Sequence, residues 1–232
     1  MSMYEVRKAY VDDAAGIGEV IGAVWPDSEV NLTRIENVIR NAEHSTKVVS
    51  VDGVLAGFAD GFMTTALDRT KRWELDLLAV RPQFQRRGMA VALIEANTSE
   101  GRARGCVMAR GLVAVENVGS QKSFERCGYV MHNTRRVLLV LSSRSHSPSN
   151  EDKQMTTSIF PVNTMNYTGF WIEGELNQSN LIQGKRLLTE TDYDLVGAVI
   201  PENNKEIIHD ALKIGYERLG HYQWWERPLI NN

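Results

Sequence analysis

One stretch limits the folds open to this chain more than any other. An alternating run, Trp73-Glu74-Leu75-Asp76-Leu77-Leu78-Ala79-Val80, leads through Arg81-Pro82-Gln83-Phe84 into Gln85-Arg86-Arg87-Gly88-Met89-Ala90, where a helical pattern opens and continues to Ala103. Read physically, a strand ends in a short turn, and the turn delivers main-chain N–H groups to the start of a helix. Such a start carries unsatisfied donors and the positive end of the helix dipole, so it attracts a phosphate. Gly88 has no Cβ to keep a ligand from the main chain, and Arg86 and Arg87 add charge at the same place. Met89, Leu93 and Ala96, with Ala90 and Ile94 beside them, recur at helical spacing and should pack on a sheet.

Gln85-Arg86-Arg87-Gly88-Met89-Ala90 resembles the (Gln/Arg)-x-x-Gly-x-(Gly/Ala) signature of the GNAT superfamily of N-acetyltransferases, and a second matching segment, Asn117 to Tyr129, follows in the family's order. The resemblance covers about residues 3–141. It implies an α/β (α+β) fold: a mixed, mostly antiparallel sheet flanked by helices, with a smaller C-terminal α+β segment completing or extending it. It also implies acetyl-CoA as cosubstrate, its pyrophosphate held by Gln85, Arg86, Arg87, Gly88, Met89 and Ala90. Leu78, Ala79 and Val80 would bind the pantetheine arm in strand fashion, one N–H facing the thioester oxygen as charge develops. Asn117 matches an asparagine that contacts the cofactor, and a helix cap is a compatible role. Phe124 stands by the cofactor where many members have a tyrosine that protonates the leaving thiolate. Ser120, Ser123, Tyr129, a water or Tyr216 of the tail are the substitutes the sequence offers.

Acyl transfer to an amine needs a base, because a lysine-like amine with a pKa of about 10.4 arrives protonated. Glu74 and Asp76 are two apart on one strand and so share a face. Glu74 matches the glutamate of histone acetyltransferase members at this offset, and Asp76 is the second candidate. Strand alternation alone also accounts for a polar face here.

The 232 residues can bury a substantial core, and 43% apolar and 24% charged residues are ordinary for a globular chain. A formal net charge of −3 gives no basic field for nucleic acid, and no apolar run reaches the ~18–20 residues needed to span a membrane. The N-terminus lacks a signal-peptide pattern. Two cysteines, Cys106 and Cys127, fit a reducing cytoplasm, and five scattered histidines show no metal-ligand spacing, so neither a metal nor a disulfide is expected.

In chain order, the pattern predicts a strand over residues 4–10, a helix capped by Asp12-Asp13, a second helix over 32–41, and a hairpin turning at Asp52-Gly53. Beyond the phosphate helix come a strand over 106–115, a helix over 120–126 closed by Gly128, and a strand over 135–141. Residues 1–141 read as the acetyltransferase domain, 142–152 as a Ser-rich linker, and 153–232 as a partial second copy lacking the phosphate loop. In that copy Tyr216-Glu217-Arg218-Leu219-Gly220-His221 reads as a helix ending like Phe124-Glu125-Arg126-Cys127-Gly128-Tyr129.

The leading expectation is an acetyl-CoA-dependent N-acetyltransferase in which a primary amine, on a small molecule or a peptide, attacks the thioester directly. Asp27 and Glu29 on the acceptor side would favour a cation. The alternatives are a non-catalytic acyl-CoA-binding regulatory module and an interaction protein that forms a homodimer through Tyr222-Gln223-Trp224-Trp225 of the C-terminal segment.

Overall fold

The computed structural model describes residues 4–143, 157–174 and 176–230, so residues 144–152 of the expected linker lie outside them. The elements are β1 (Tyr4–Lys8), α1 (Ala14–Val24), α2 (Leu32–Arg40), β2 (Lys47–Val51), β3 (Val54–Thr65), β4 (Lys71–Val80), α3 (Met89–Ala103), β5 (Met108–Ala114), α4 (Val118–Arg126), β6 (Val130–Met131), β7 (Arg136–Ser142), β8 (Thr157–Asn163), β9 (Thr168–Gly174), α5 (Gln178–Thr189), β10 (Leu195–Pro201), α6 (Lys205–Ile214) and β11 (Glu217–Pro228).

The chain gathers into two compact units. The first comprises Met1–Met131, Thr164–Asn166 and Trp224–Asn232, and the second comprises His132–Asn163 and Tyr167–Gln223. β7 thus belongs to the second unit, and the last part of β11 to the first.

In the first unit the strand order is β1-β2-β3-β4-β5-β11, with β6 also paired to β11. The first four strands are antiparallel neighbours, and β5 lies parallel to β4. Asp52 and Gly53 turn the β2–β3 hairpin with φ of 50° and 80°, the left-handed pair that a mirror-image two-residue turn demands. Ile17, Val20 and Ile21 of α1 and Ile35 and Val38 of α2 bury one sheet face against Phe58 and Ala79. On the other face Met89 and Leu93 of α3 meet Val49, Ala59 and Val80, while Ile94 meets Trp73 and Leu75.

Two local expectations change. Ala96 is only partly buried; the next fully buried turn of α3 is Asn97-Thr98, where Asn97 Nδ2 donates to the Ala59 carbonyl at 3.0 Å. Asp13 makes no side-chain bond to α1. Its carboxylate accepts instead from the Tyr10 amide at 2.7 Å and from Arg7, which holds its pKa below the usual range.

The second unit has the order β11-β7-β10-β9-β8, with β10 antiparallel to β7 and parallel to β9. Val196, Ala198, Ile200, Leu139 and Leu141 pack under α5 and α6 with Leu181, Leu188, Ile208 and Tyr216.

The internal repeat holds, but its register is corrected. α6 ends at Ile214 with Gly215 left-handed at φ 111°, and Glu217 to Pro228 is strand rather than a helix ending. The true match to Gly128-Tyr129 is therefore Gly215-Tyr216, not Gly220-His221. Asn117 and Asn204 confirm it: each caps its helix at φ −83° with ψ of 69° and 71°. The aromatic strand expected to offer an edge to a second subunit is occupied within the chain, because Tyr222 pairs with Arg136 and Trp225 with Met131.

Candidate active site

The loop after β4 has the conformation an anion site needs. Gln85 Nε2 donates back to the Val80 carbonyl at 2.9 Å, tying the loop to the strand end. Arg86 and Gly88 take φ of 63° and 86°, and Gly88 caps α3 with no side chain of its own. Among the described residues no acceptor from the chain meets the amides of Arg86, Arg87, Gly88, Met89 or Ala90. Arg86, Arg87 and Gly88 are exposed, whereas the Met89 side chain is in the core. Arg87 folds back, donating to the Gln83 carbonyl at 3.0 Å with its guanidinium 5.6 Å from the centre of the Phe84 ring. The equivalent helix start in the second unit is closed: Asn177 caps α5 by accepting from the Asn180 amide, and Asn180 Oδ1 accepts from the Asn177 amide.

Beside this loop β4 and β5 part. Their parallel pairing runs from Arg72–Met108 to Leu75–Gly111 and stops, although β4 continues to Val80 and β5 to Ala114. On its other edge β4 stays paired, Leu78 with Ala59, Ala79 with Phe58 and Val80 with Gly57. The β5-facing edge over residues 76–80 is thus left without a strand neighbour, a place where an extended ligand can add as a strand does.

A bulge interrupts β4 between these regions. Asp60 pairs with Leu77 and Gly61 with Leu75, leaving Asp76 as the extra residue. A bulge re-aims a side chain, and Asp76 is partly exposed, as are Leu77 and Leu78, whereas Glu74 and Leu75 before it are buried. Loss of hydration, reinforced by the charges of Asp60 and Glu74 and opposed by His44, pushes its pKa up to about 7. Glu74 is in a different environment. Its carboxylate is buried and accepts from Thr64 Oγ1 at 2.5 Å and from Arg110 Nε at 2.8 and 3.0 Å, with Arg72 Nε at 3.7 Å. The Arg110 guanidinium lies 4.1 Å from the centre of the Trp224 ring.

Sequence reasoning did not find Arg110, Thr64, Asp60, His44 or Trp224. Arg110 had a signal: it is the one charge in the apolar run Met108 to Ala114. Asp60 had a similar one inside β3; it accepts from Thr46 Oγ1 and shares a 2.7 Å contact with His44 Nδ1.

Phe124 is buried, its ring edge-on to Tyr129 at 4.9 Å, and a Cβ at Gly111 would lie 2.6 Å from its Cζ. It forms the floor beneath the parting strands. Asn117 Oδ1 accepts from the Ser120 amide at 3.0 Å. Three of the substitutes for a thiolate-protonating tyrosine, Tyr129, Ser123 and Tyr216, are engaged elsewhere, whereas Ser120 meets Asn117 through its amide. Tyr129 shares a 2.7 Å hydrogen bond with Thr98 and burial raises its pKa; Ser123 donates to Gly119; Tyr216 donates to Leu181 inside the second unit's core. Burial pushes the Cys127 thiol up to about 12, so it is no thiolate nucleophile. Among the described residues no group of three or more His, Cys, Asp or Glu side chains could hold a metal ion.

These features agree with what the chain is similar to. The model of the acetyltransferase (GNAT) family matches residues 4–129. An aminoglycoside N(6')-acetyltransferase type 1 from Salmonella typhimurium is 26% identical over 142 residues, which is 60% of this chain and 96% of that protein. The structure of aminoglycoside N-acetyltransferase AAC(6')-Iy in complex with CoA is 25% identical, with a TM-score of 0.50 over 55% of this chain and 88% of its own. A tandem GNAT protein from the clavulanic acid biosynthesis pathway shares the fold across both units, at 13% identity and a TM-score of 0.60 over 99% of this chain and all of that one. The chain belongs to the acetyltransferase (GNAT) family and is an N-acetyltransferase.

Proposed function

We propose that the first unit transfers an acetyl group from acetyl-CoA to a primary amine of a small cationic acceptor by direct attack, with Asp76 as the base. The observation that carries this is the bulge: it sets Asp76, a partly exposed residue whose carboxyl has lost hydration, apart from the ion-paired Glu74 on the strand beside the loop of free amides. The residues fit the cosubstrate: the amides of Arg86 to Ala90 suit its diphosphate, the free edge of Leu78, Ala79 and Val80 its extended arm, and Asn117 stands at the head of α4. Bound there, acetyl-CoA supplies the activated thioester.

An ordinary carboxylate lies about 6.5 pKa units below an alkylammonium. Asp76, at about 7, narrows that gap to roughly 3, and is still ionised above neutral pH. The carboxylate takes the ammonium proton, the neutral nitrogen bonds to the acetyl carbon, the C–S bond breaks, and the second proton released from the nitrogen passes through solvent to the departing thiolate, leaving a neutral amide. Glu74, already neutralised by Arg110, serves the site as a fixed charge. Phe124 supports the strands beneath the cofactor rather than supplying a proton.

The relatives named for aminoglycosides, together with the exposed carboxylates Asp27 and Glu29, favour an amino sugar as acceptor. The second unit, its helix start closed by Asn177 and Asn180, carries no CoA site. We place the enzyme in the cytoplasm, where its two free cysteines stay reduced.

The test is release of free thiol from acetyl-CoA with a panel of aminoglycosides, diamines and peptides. Release with aminoglycosides that disappears in Asp76→Asn supports the proposal. CoA binding without release from any acceptor would replace it with the regulatory-module reading.

A further inference from the structure

We propose that Trp224, near the C-terminus, is a positioning residue of the transfer site: its indole holds Arg110 against Glu74 and so fixes the charge arrangement around Asp76. The inference rests on the reading of β4 as the acidic side of that site.

Trp224 reaches the first unit through the last part of β11, which lies beside β5. Its ring carries the Arg110 guanidinium at 4.1 Å, and Arg110 Nε in turn meets both Glu74 oxygens at 2.8 and 3.0 Å. Three side chains from three strands thus form one chain of contacts ending on the residue two before the bulge. Arg110 and Glu74 are buried and Trp224 is half-buried, so the indole is a lid over the cation instead of core packing. The next residue, Trp225, is different: it is buried with Phe124, ring centres 6.5 Å apart. An aromatic face holds a cation most strongly where water is excluded. Without it Arg110 gains water, its charge is screened, and Glu74 is less neutralised.

The charges facing Asp76 are Asp60 of β3, Glu74 of β4 and His44 of the segment before β2. Arg72 and Arg110 sit on Glu74. Weakening the Arg110–Glu74 pair makes this set more negative, so Asp76 holds its proton to higher pH.

The experiment uses the full chain and compares Trp224→Ala, Trp224→Phe and Trp225→Leu. Each is measured for acetyl transfer to an aminoglycoside against pH, for CoA affinity by calorimetry, and for thermal stability. Trp224→Ala is expected to lower kcat/KM about tenfold and move its acid limb up by about 0.5–1 pH unit, with CoA affinity unchanged. Trp224→Phe, which keeps a ring face, should restore both towards the parent. Trp225→Leu should lower the melting temperature without moving the limb. Should Trp224→Ala not fold, Arg110→Lys, which keeps the charge but loses the planar stack, must show the same upward shift. An acid limb that stays put, in Trp224→Ala or in Arg110→Lys where that stands in for it, overturns the proposal. A parent that transfers no acetyl group removes the reading beneath it, and the proposal falls with that reading.

Discussion

Replacing Glu74 separates a structural carboxylate from a catalytic one. Its side chain and that of Arg110 are 2% and 6% exposed, and the shortest contact is 2.8 Å. At an effective dielectric constant near 20, unit charges at that distance attract by about 6 kcal/mol. Much of this offsets the cost of taking both groups out of water, so the pair adds little net stability. Breaking it is another matter. Glu74→Ala leaves a buried guanidinium without its carboxylate, which costs about 3–5 kcal/mol, a large share of the 5–15 kcal/mol typical of a domain. Glu74→Gln keeps an acceptor for Thr64 and Arg110 and should cost about half as much. Urea unfolding followed by circular dichroism reads both values. A loss under about 1 kcal/mol for Glu74→Ala would refute the argument. The same variants bear on chemistry: Glu74→Gln should retain an acid limb, displaced downward by less than about one pH unit because a negative neighbour of Asp76 is gone. Loss of the limb would make Glu74 the base after all.

Asp76→Asn should abolish thiol release across the pH range while stabilising the protein at alkaline pH. The folded pKa of about 7 lies above the ordinary value of 3.8, so the native state binds more protons between these limits and stability falls as pH rises through them. The variant's advantage, read from melting temperatures, should therefore grow across that window and vanish at its acidic end. Gly88→Val forces a β-branched residue to φ 86° at the head of α3 and should weaken CoA binding at least tenfold by calorimetry; unchanged affinity would count against the loop. Gly101→Ala would place a Cβ 2.5 Å from Trp73 Cγ, costing about 1–3 kcal/mol of overpacking, a drop in melting temperature of about 3–10 °C; an unchanged melt would show that Trp73 can shift.

The turn into α3 could be read from sequence because its requirements have their own residues, Gly88 for the left-handed cap and Leu93 and Ile94 for the buried face; the tie of Gln85 to β4, a residue expected only to face the cofactor, could not. The hairpin at Asp52-Gly53 was readable for the same reason. The roles within the acidic pair were not, since alternation treats Glu74 and Asp76 alike and only the bulge separates them. No local pattern announces a bulge whose cause is the fit of two strands. The assignment of β7 to the second unit and of Trp224–Asn232 to the first was equally hidden, because an apolar strand carries no mark of which sheet will take it. The helix ending misplaced at Gly220 came from matching Glu-Arg-x-Gly letters where φ decides, at Gly215.

The claim on which the rest depends is that free amides at the head of α3 hold the diphosphate of one cosubstrate per chain. Calorimetric titration of coenzyme A into the folded parent tests it most directly. The structure predicts heat that saturates at one coenzyme A per chain. No heat, or saturation at two per chain, would contradict it, the first for the loop after β4 and the second for the closed helix start at Asn177.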